Sequence, residues 1–600
     1  SPGRYVNNAA KSGRELWSFV PNALLSSLRE IVPAWAQGKK YFSWDTRVPY
    51  ISGVGNWDGG AYINSDVLYR RYFVDATPQV SDVWIYSNSS DTAKDCPWPY
   101  TYASCEWKTY LVSGLGLGGR SVFALDVTQV SSDVDNPIPP GVVGEFRYAN
   151  PDNASSSKYL GFTTSTPVIG KVRLCLDLGG CPNGASQRER WVAMFGAGYS
   201  PYSDPTAESG GEPTYDTSNS QLAGRAFIVV DLKTMQKLWE FGFDPSATDD
   251  RRFMRYALAS QVKAFDKNGD GYVETVYAGD LGGQVWRFDL SKYGAISSGY
   301  VRTCTGDTND YCWGGKRLFA APTVAAKPGK KKPCTDKHCK NCIGCGGTLA
   351  CGQKSGKKRC AWNCNCCSSA YGSDKEWQSF WAPPSVAINS FEQVYVFIGA
   401  GDKSNVLYRE NEKIMKFYGI RDVIEDDPGA STLTEGDLNE VTNPATAAYD
   451  PQGWYFRMNP GEKVITAPVA FNFNVFITTF IPRDDISGNN WDKAFVERAY
   501  VGDTKLRVVD FTTGGVNQVT TDTTRANILW SGLQVGRGLP SKPQIVTRNP
   551  GTGAGQQQGS VELMIQTSTG QYIRGTGADF GLPSGTTQGM VGRIIFWLER

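Results

Sequence analysis

Apolar residues fall in short runs along this chain, and the runs recur in a fixed order of four. The first run opens with a small residue and a proline, the second ends in glycine, the third ends in aspartate, and the fourth carries an aromatic residue. One complete set reads "TSTPVIGKV", "WVAMFGAGYS", "AFIVVDL" and "KTMQKLWEFGFD" within 164–244. Apolar runs of this length bounded by turn residues predict β-strands. A repeated unit of four strands is typical of the blades of a β-propeller rather than of a sandwich.

Six copies of the first run can be counted, at 76–83, 164–172, 258–265, 320–326 or 382–388, 466–471 and 541–546. The fourth run is clearest at 233–244 and has weaker copies at 144–150, 453–459 and 527–533. The segment "GRELWSFVP" at 13–21 has the character of a fourth run with no earlier three before it. We therefore predict an all-β chain that forms a single propeller domain over 1–600. It should have about seven blades, of which the first is incomplete.

Composition and charge exclude only a few classes of function. The 61 basic and 59 acidic residues among 600 give a net charge of +2, so the chain as a whole has no electrostatic reason to bind nucleic acid. No apolar run approaches the 18 residues of a transmembrane helix. The chain begins at Ser1-Pro2 without a methionine, and we expect it to be a fragment of a longer protein.

Six of the 15 cysteines form three local couples within segments rich in glycine, proline and asparagine. Such couples predict small loops closed by disulfides, and therefore export to an oxidising compartment. The couples are Cys96 with Cys105, Cys175 with Cys181, and Cys304 with Cys312.

The other nine cysteines lie in an insertion at 327–380 that is rich in lysine and glycine and interrupts the strand pattern. A segment so poor in large apolar residues needs cross-links or a metal to hold a shape. A disulfide knot is the first interpretation, although an odd number leaves one thiol over. The second interpretation is a soft-ligand site for copper or zinc, for which seven residues are candidates: His338, Cys339, Cys342, Cys345, Cys364, Cys366 and Cys367.

The segment "AFDKNGDGYVETVYAGD" at 264–280 places oxygen-bearing side chains at alternate positions. Asp266, Asn268 and Asp270 occupy positions 1, 3 and 5 of a loop, a glycine provides the turn at position 6, and Tyr272 offers its carbonyl at position 7. The closing acid is Glu274 at position 9, whereas an EF-hand keeps its closing glutamate at position 12. The pattern predicts a calcium loop that is not an EF-hand. A polar turn without an ion is the competing interpretation.

Several of these motifs, taken in order, resemble the C-terminal domain of the PilC/PilY family, large proteins associated with the tips of bacterial type IV pili. The segments that carry the likeness are at 13–28, 107–128, 163–172, 264–290 and 461–482. The resemblance implies a modified, quinoprotein-like β-propeller that sits with minor pilins at the pilus tip or cell surface. It also implies roles in pilus assembly, in opposing retraction, in adhesion to a host or abiotic surface, and in twitching motility.

The same resemblance implies one calcium ion, held by Asp266, Asn268, Asp270, the Tyr272 carbonyl and Glu274, where the family usually has aspartate. The alternative is a quinoprotein dehydrogenase, which shares the propeller, calcium and an adjacent cysteine pair. Such an enzyme needs its cofactor-stacking aromatics, base and calcium ligands gathered at the propeller axis. Here the acids lie together in one loop, and His338 is the one histidine available for acid–base catalysis. We therefore expect a non-enzymatic protein.

Overall fold

The computed structural model describes most of the predicted strands. The described residues are 18–25, 73–86, 105–130, 138–175, 187–200, 222–297, 299–304, 311–321, 348–354, 357–363, 378–403, 406, 414–482, 502–516, 523–548 and 560–576. Helices within these ranges are short: the α-helices α1 (Val423–Asp426) and α2 (Thr523–Ser531), and 3₁₀ turns at Asn22–Leu24, Asp250–Phe253, Glu435–Asp437 and Pro444–Thr446. The all-β prediction is confirmed.

The first two blades each contain four antiparallel strands that pair in chain order. Blade 1 consists of β1 (Gln79–Tyr86), β2 (Cys105–Gly114), β3 (Ser121–Asp126) and β4 (Gly141–Tyr148), with the short β5 (Ser156–Ser157) parallel to β4. Blade 2 consists of β6 (Val168–Cys175), β7 (Gln187–Gly196), β8 (Ala226–Asp231) and β9 (Gln236–Gly242).

Blades 3 and 4 carry long connections between their third and fourth strands. Blade 3 consists of β10 (Lys263–Phe265), β11 (Thr275–Gly279), β12 (Gln284–Asp289) and β15 (Gly314–Ala320). Between β12 and β15 the chain forms the hairpin β13 (Gly294–Ser297) and β14 (Tyr300–Val301), which extends the sheet of blade 2 because β13 pairs in parallel with β6. The insertion contributes a separate hairpin, β16 (Thr348–Lys354) and β17 (Lys357–Asn363). Blade 4 consists of β18 (Ser385–Ile388), β19 (Val394–Gly399) and β20 (Lys416–Arg421), followed after two short strands by β23 (Gly453–Arg457). The short strand β21 (Leu433–Thr434) pairs in parallel with β15 of blade 3, and the short strand β22 (Asn439–Glu440) pairs in parallel with β23.

The last two sheets complete the described part of the propeller. In blade 5 the first strand is split into β24 (Lys463–Val464) and β25 (Val469–Phe471), and both pieces pair with β26 (Asn474–Pro482). The blade continues with β27 (Gly502–Asp510) and β28 (Leu533–Arg537). Blade 6 shows three strands in the described residues: β29 (Gln544–Arg548), β30 (Ser560–Gln566) and β31 (Tyr572–Thr576).

Consecutive blades lie side by side, as in a propeller. The first strand of each of blades 1 to 4 contacts the first strand of the next blade: β1 contacts β6, β6 contacts β10, β10 contacts β18, and β18 contacts β25. One apolar core joins blades 1, 2 and 3, another joins blades 3, 4 and 5, and a third joins blades 5 and 6. Middle strands are therefore covered on both faces, which explains why "AFIVVD" in β8 and "VYVFIG" in β19 are buried at every position.

Two fully buried tryptophans pack in the apolar cores that join the blades, and the ring N–H of each has a hydrogen-bond partner. The Trp286 Nε1 donates to the Asp280 carboxylate at 2.9 Å, and the Trp454 Nε1 donates to the Phe511 carbonyl at 3.0 Å. Both rings are fully buried. A buried tryptophan needs such a partner because an unpaired N–H in the core is costly.

Two details of the predicted strand pattern change. The first strand of blade 4 is Ser385–Ile388, so the copy at 382–388 is the correct one of the two alternatives. The predicted fourth run at 527–533 was wrong, because residues up to Ser531 belong to α2 and the strand begins at Leu533. Ala526 and Leu529 are buried three positions apart, which is the spacing of a helix. The predicted partial blade at 13–21 lies largely outside the described residues.

Candidate metal-binding loop

The predicted calcium segment forms the connection between the first two strands of blade 3. Phe265 pairs with Thr275 at the end of the β10–β11 ladder, so residues 266–274 close the hairpin as a loop. The loop is anchored on its own blade, because Glu274 N donates to the Phe265 carbonyl at 3.0 Å and Leu290 N donates to the Glu274 carbonyl at 2.8 Å. Its side chains are therefore held at one edge of a rigid sheet.

Two glycines allow the loop to fold back on its first residue. Gly269 and Gly271 have φ angles of 76° and 87°, a region that side-chain-bearing residues rarely adopt. Their N–H groups donate to the two carboxylate oxygens of Asp266, each at 2.7 Å. A Cβ added at either glycine would meet nothing within 4 Å, so the requirement for glycine is conformational and not steric.

The other acidic and amide side chains turn into the same loop. Asn268 Oδ1 accepts the N–H of Asp270 at 2.9 Å, and Asp270 Oδ1 accepts the N–H of Tyr272 at 3.0 Å. Glu274 Oε2 accepts the N–H of Lys267 at 3.2 Å, while Glu274 Oε1 accepts a bond from the Asn268 amide at 2.7 Å. All the predicted side-chain ligands are thus brought together, and each offers oxygen.

Charged side chains of the two neighbouring blades form ion pairs with the loop, an arginine from one blade and a glutamate from the other. Arg173, on β6 of blade 2, contacts the Asp270 carboxylate, and its Nη1 lies 4.0 Å from Glu274 Oε1. On the other side, the Nζ of Lys267 pairs at 3.1 Å with Glu425 of α1 in blade 4. The loop therefore connects three consecutive blades.

Tyr272 has a separate role for its side chain. Its hydroxyl donates to Glu189 Oε2 on β7 at 2.7 Å, and its ring lies against Arg173 and Lys171 at 4.4 Å and 4.2 Å from the ring centre. Burial raises the pKa of the phenol, with the bond to Glu189 as the next cause. The ring thus ties the loop to blade 2 and leaves the main chain for any ligand role.

The donor set fits a hard cation. Calcium prefers six to eight oxygen ligands, and this loop supplies carboxylate, amide and carbonyl oxygens with no nitrogen or sulfur among them. The pKa of Glu274 is raised, first by burial and then by the charges of Asp270 and Asp266, so the loop carries negative charge in excess. Within the described part of the chain, no group of three or more His, Cys, Asp or Glu side chains is already closed around one point. The Arg173 guanidinium and the Asn268 amide occupy oxygens that a metal would use.

The cysteine predictions are tested only in part. Cys304 and Cys312 form a disulfide with a Cα–Cα distance of 5.1 Å. Cys105 and Cys175 are also disulfide-bonded, while their predicted partners Cys96 and Cys181 lie outside the described residues.

The predicted copper or zinc ligands also lie outside the described residues, so a metal in the insertion stays a prediction. These ligands are His338, Cys339, Cys342, Cys345, Cys364, Cys366 and Cys367. The backbone of the β16–β17 hairpin places Cys351 opposite Cys360.

Sequence reasoning missed the residues that surround the loop. Arg173 lies 97 positions from Asp270, and Glu425 lies 158 positions from Lys267. Neither belongs to a recognisable motif. Arg173 and Glu425 reach the loop only because blades 2, 3 and 4 are neighbours in the folded protein.

Comparison with known proteins finds relatives that are named as type IV pilus biogenesis factors. No protein-family model matches the chain. A type IV pilus biogenesis factor PilY1 homolog of Xylella fastidiosa is 29% identical over 235 residues, which cover 38% of this chain and 12% of the relative. The type IV pilus biogenesis factor PilY1 of Pseudomonas aeruginosa is 27% identical over 282 residues, covering 47% of this chain and 16% of the relative. This chain therefore spans only a small part of the length of either relative.

Among solved structures, the C-terminal domain of Pseudomonas aeruginosa PilY1 aligns with 94% of this chain and 89% of its own. Its TM-score is 0.48 and its identity 16%. BamB of Moraxella catarrhalis aligns with a TM-score of 0.21, at 9% identity, over 83% of this chain and 88% of its own. No helix found in the described ranges has the length and apolar character that crossing a bilayer requires. The predicted resemblance to the PilC/PilY family is confirmed, and the chain is a homologue of the PilY1 type IV pilus biogenesis factors.

Proposed function

We propose that this chain is a non-enzymatic, calcium-binding part of a type IV pilus biogenesis factor. In this role it supports pilus assembly, opposes retraction, and contributes to surface adhesion and twitching motility. The observation that carries the proposal is its similarity to two proteins named for type IV pilus biogenesis. The propeller then serves as a rigid scaffold that presents loops to partners.

The calcium part of the proposal rests on the oxygen-lined loop between β10 and β11. Asp266, Asn268, Asp270 and Glu274 would hold the ion through their side chains, and Tyr272 through its carbonyl. A bound divalent cation would neutralise the excess negative charge of the loop. Because the loop also contacts blades 2 and 4, its charge state bears on how three blades are held together.

The same comparison and the cysteines support the proposed location of the protein. Disulfides at Cys105, Cys175 and Cys304 are typical of proteins in an oxidising compartment. An extracellular position at the pilus tip or cell surface, in contact with minor pilins and with a host or abiotic surface, fits both observations. Nothing in the charge balance favours nucleic acid.

Asp270→Ala tests calcium binding by the purified chain. We expect the variant to lose calcium binding in isothermal titration while it keeps the circular dichroism spectrum of the β fold. Asp427→Ala is a matched control, because Asp427 is also an exposed aspartate that accepts a backbone N–H two residues on, from Gly429 at 2.9 Å. Equal calcium binding by Asp270→Ala and the wild type would refute the assignment of the loop.

The role in pili is tested with the same two variants in the full-length protein in its own bacterium. We expect Asp270→Ala to reduce surface pili and twitching in a strain that retracts its pili, but not to reduce surface pili in a strain that cannot retract them. Asp427→Ala should behave as the wild type in both strains. Loss of pili from both strains would favour a role in assembly alone and would contradict a role in opposing retraction.

A further inference from the structure

Arg173 belongs to another blade and contacts two of the loop's acids. It lies on β6, contacts the Asp270 carboxylate, and approaches Glu274 Oε1 to 4.0 Å. Its guanidinium also lies 4.4 Å from the centre of the Tyr272 ring. The side chain is 18% exposed, so it is partly withdrawn from water and held in place by packing.

The position of Arg173 is that of a cation in a cluster of acids. Three carboxylates meet in the loop, and the N–H groups of the loop compensate only part of their charge. An arginine always carries its charge and forms strong bonds with carboxylates, so it can fill this need without a metal. A calcium ion needs the same Asp270 oxygens.

We infer that Arg173 is the resident counter-ion of the loop and competes with calcium for Asp270. The inference rests on the proposed function, because it concerns the metal that the loop is proposed to bind. Without calcium, Arg173 stabilises the loop and links blade 2 to blade 3 through Asp270. Calcium binding displaces this contact, so the ion exchanges an interblade ion pair for metal coordination within blade 3.

Two consequences follow from the competition. Calcium affinity is lower than the oxygen ligands alone would give, because part of the binding free energy is spent on displacing Arg173. Calcium also changes the way in which blades 2 and 3 are joined, which gives the ion a means of altering the neighbouring surface. Arg173 is thus a positioning residue that tunes the site and is not itself a ligand.

The test compares calcium titrations of the wild type and Arg173→Gln. Lys171→Gln is the matched control, because Lys171 lies on the same strand and against the same Tyr272 ring, yet pairs with Glu189 at 3.4 Å. We expect Arg173→Gln to bind calcium about three- to fivefold more tightly, the upper part of the range for a partly exposed ion pair. Lys171→Gln should remain within about twofold of the wild type.

Thermal unfolding provides a second measurement that does not depend on the binding signal. With calcium chelated, Arg173→Gln should melt at a lower temperature than the wild type, because the acids then repel one another without a counter-ion. Saturating calcium should reduce this difference. Arg173→Lys keeps the charge but loses the fork of two donors, and it should fall between the two in both measurements.

The failure of this inference differs from the failure of the proposed function. Equal calcium affinity of the wild type and Arg173→Gln would overturn the competition while leaving the calcium site in place. Tighter binding by Lys171→Gln to the same degree would show a general charge effect and would also overturn it. Absence of calcium binding in every variant would overturn the proposed site, and the inference with it.

Discussion

Glu462 in blade 5 and the acids of the β10–β11 loop are carboxylates in opposite situations. Glu462 is completely buried, and both its oxygens are saturated by Arg507, Thr479 and Asn459 at 2.6 to 3.0 Å. In the loop, Asp270 is 36% exposed and shares one guanidinium with Glu274. The first carboxylate has all its partners within the fold, whereas the loop acids have partners that a metal can replace.

The difference shows that the surroundings of a carboxylate, and not its residue type, decide whether it stabilises the fold or can bind a metal. A buried carboxylate with a bidentate arginine costs much to disturb, because either charge left alone in the core lacks solvation. An acid at a loop edge keeps access to water and can exchange one cation for another. The comparison can be tested by removing one residue of each kind of pair and measuring the change in the free energy of unfolding.

The largest effect is expected at the buried pair. Glu462→Ala leaves Arg507, which is 3% exposed, as an uncompensated charge in blade 5. We expect a loss of about 3–5 kcal/mol in the free energy of unfolding, measured by chemical denaturation. Replacing both residues by methionine should recover much of this loss, because no isolated charge then remains.

Glu440→Ala is the control for this measurement. Glu440 pairs with Arg457 at 2.6 Å, but the side chains are 32% and 54% exposed. Its removal should cost at most about 1 kcal/mol. Similar losses for Glu462→Ala and Glu440→Ala would remove the distinction between the two kinds of carboxylate.

The second prediction is that the buried acids Asp280 and Glu462 change the stability of the fold with pH in opposite directions. Burial raises the pKa of Asp280 to about 6 despite hydrogen bonds from Trp286 and Gln284, whereas the pKa of Glu462 is lowered to about 2 because the bonds and charge of Arg507 outweigh its burial. Folded Asp280 holds its proton more tightly than the unfolded chain does. Its contribution to stability therefore decreases as pH rises from about 4 to about 6. Glu462 has the opposite sign, and its contribution is lost as pH falls from about 4.5 towards 2.

Asp280→Asn is the variant that measures the first of these contributions. In the wild type, the contribution of Asp280 should lower the free energy of unfolding by about 1–3 kcal/mol between pH 4 and pH 6, and this decrease should be absent from the variant. The measurement is a series of denaturant titrations across this range, with the wild type beside the variant. Parallel pH profiles would show that Asp280 does not titrate in this window.

Local features of the fold and the loop could be predicted from the sequence, whereas contacts between blades could not. The nine-residue loop is recognisable because its ligands, glycines and closing acid are consecutive, and the buried strands are recognisable because neighbouring blades cover both their faces. The helix at 523–531 was mistaken for a strand because a short apolar run such as "NILW" fits both periods. Arg173 and Glu425 were not predictable, since sequence spacing does not show which residues of adjacent blades meet.

The smallest effect is expected at the edge of the loop, where Lys267 pairs with Glu425. Both side chains are partly exposed, at 29% and 25%, so Lys267→Gln should cost only about 0.5 kcal/mol of unfolding free energy. Glu425→Gln should cost more, because Glu425 also contacts Arg287, whose side chain is 7% exposed. Denaturation at low and high salt distinguishes the two, since an exposed pair is screened and a buried one much less. A salt-independent loss above about 2 kcal/mol for Lys267→Gln would place this pair with Glu462 and Arg507, and the loop would then be fixed to blade 4 as firmly as a core contact.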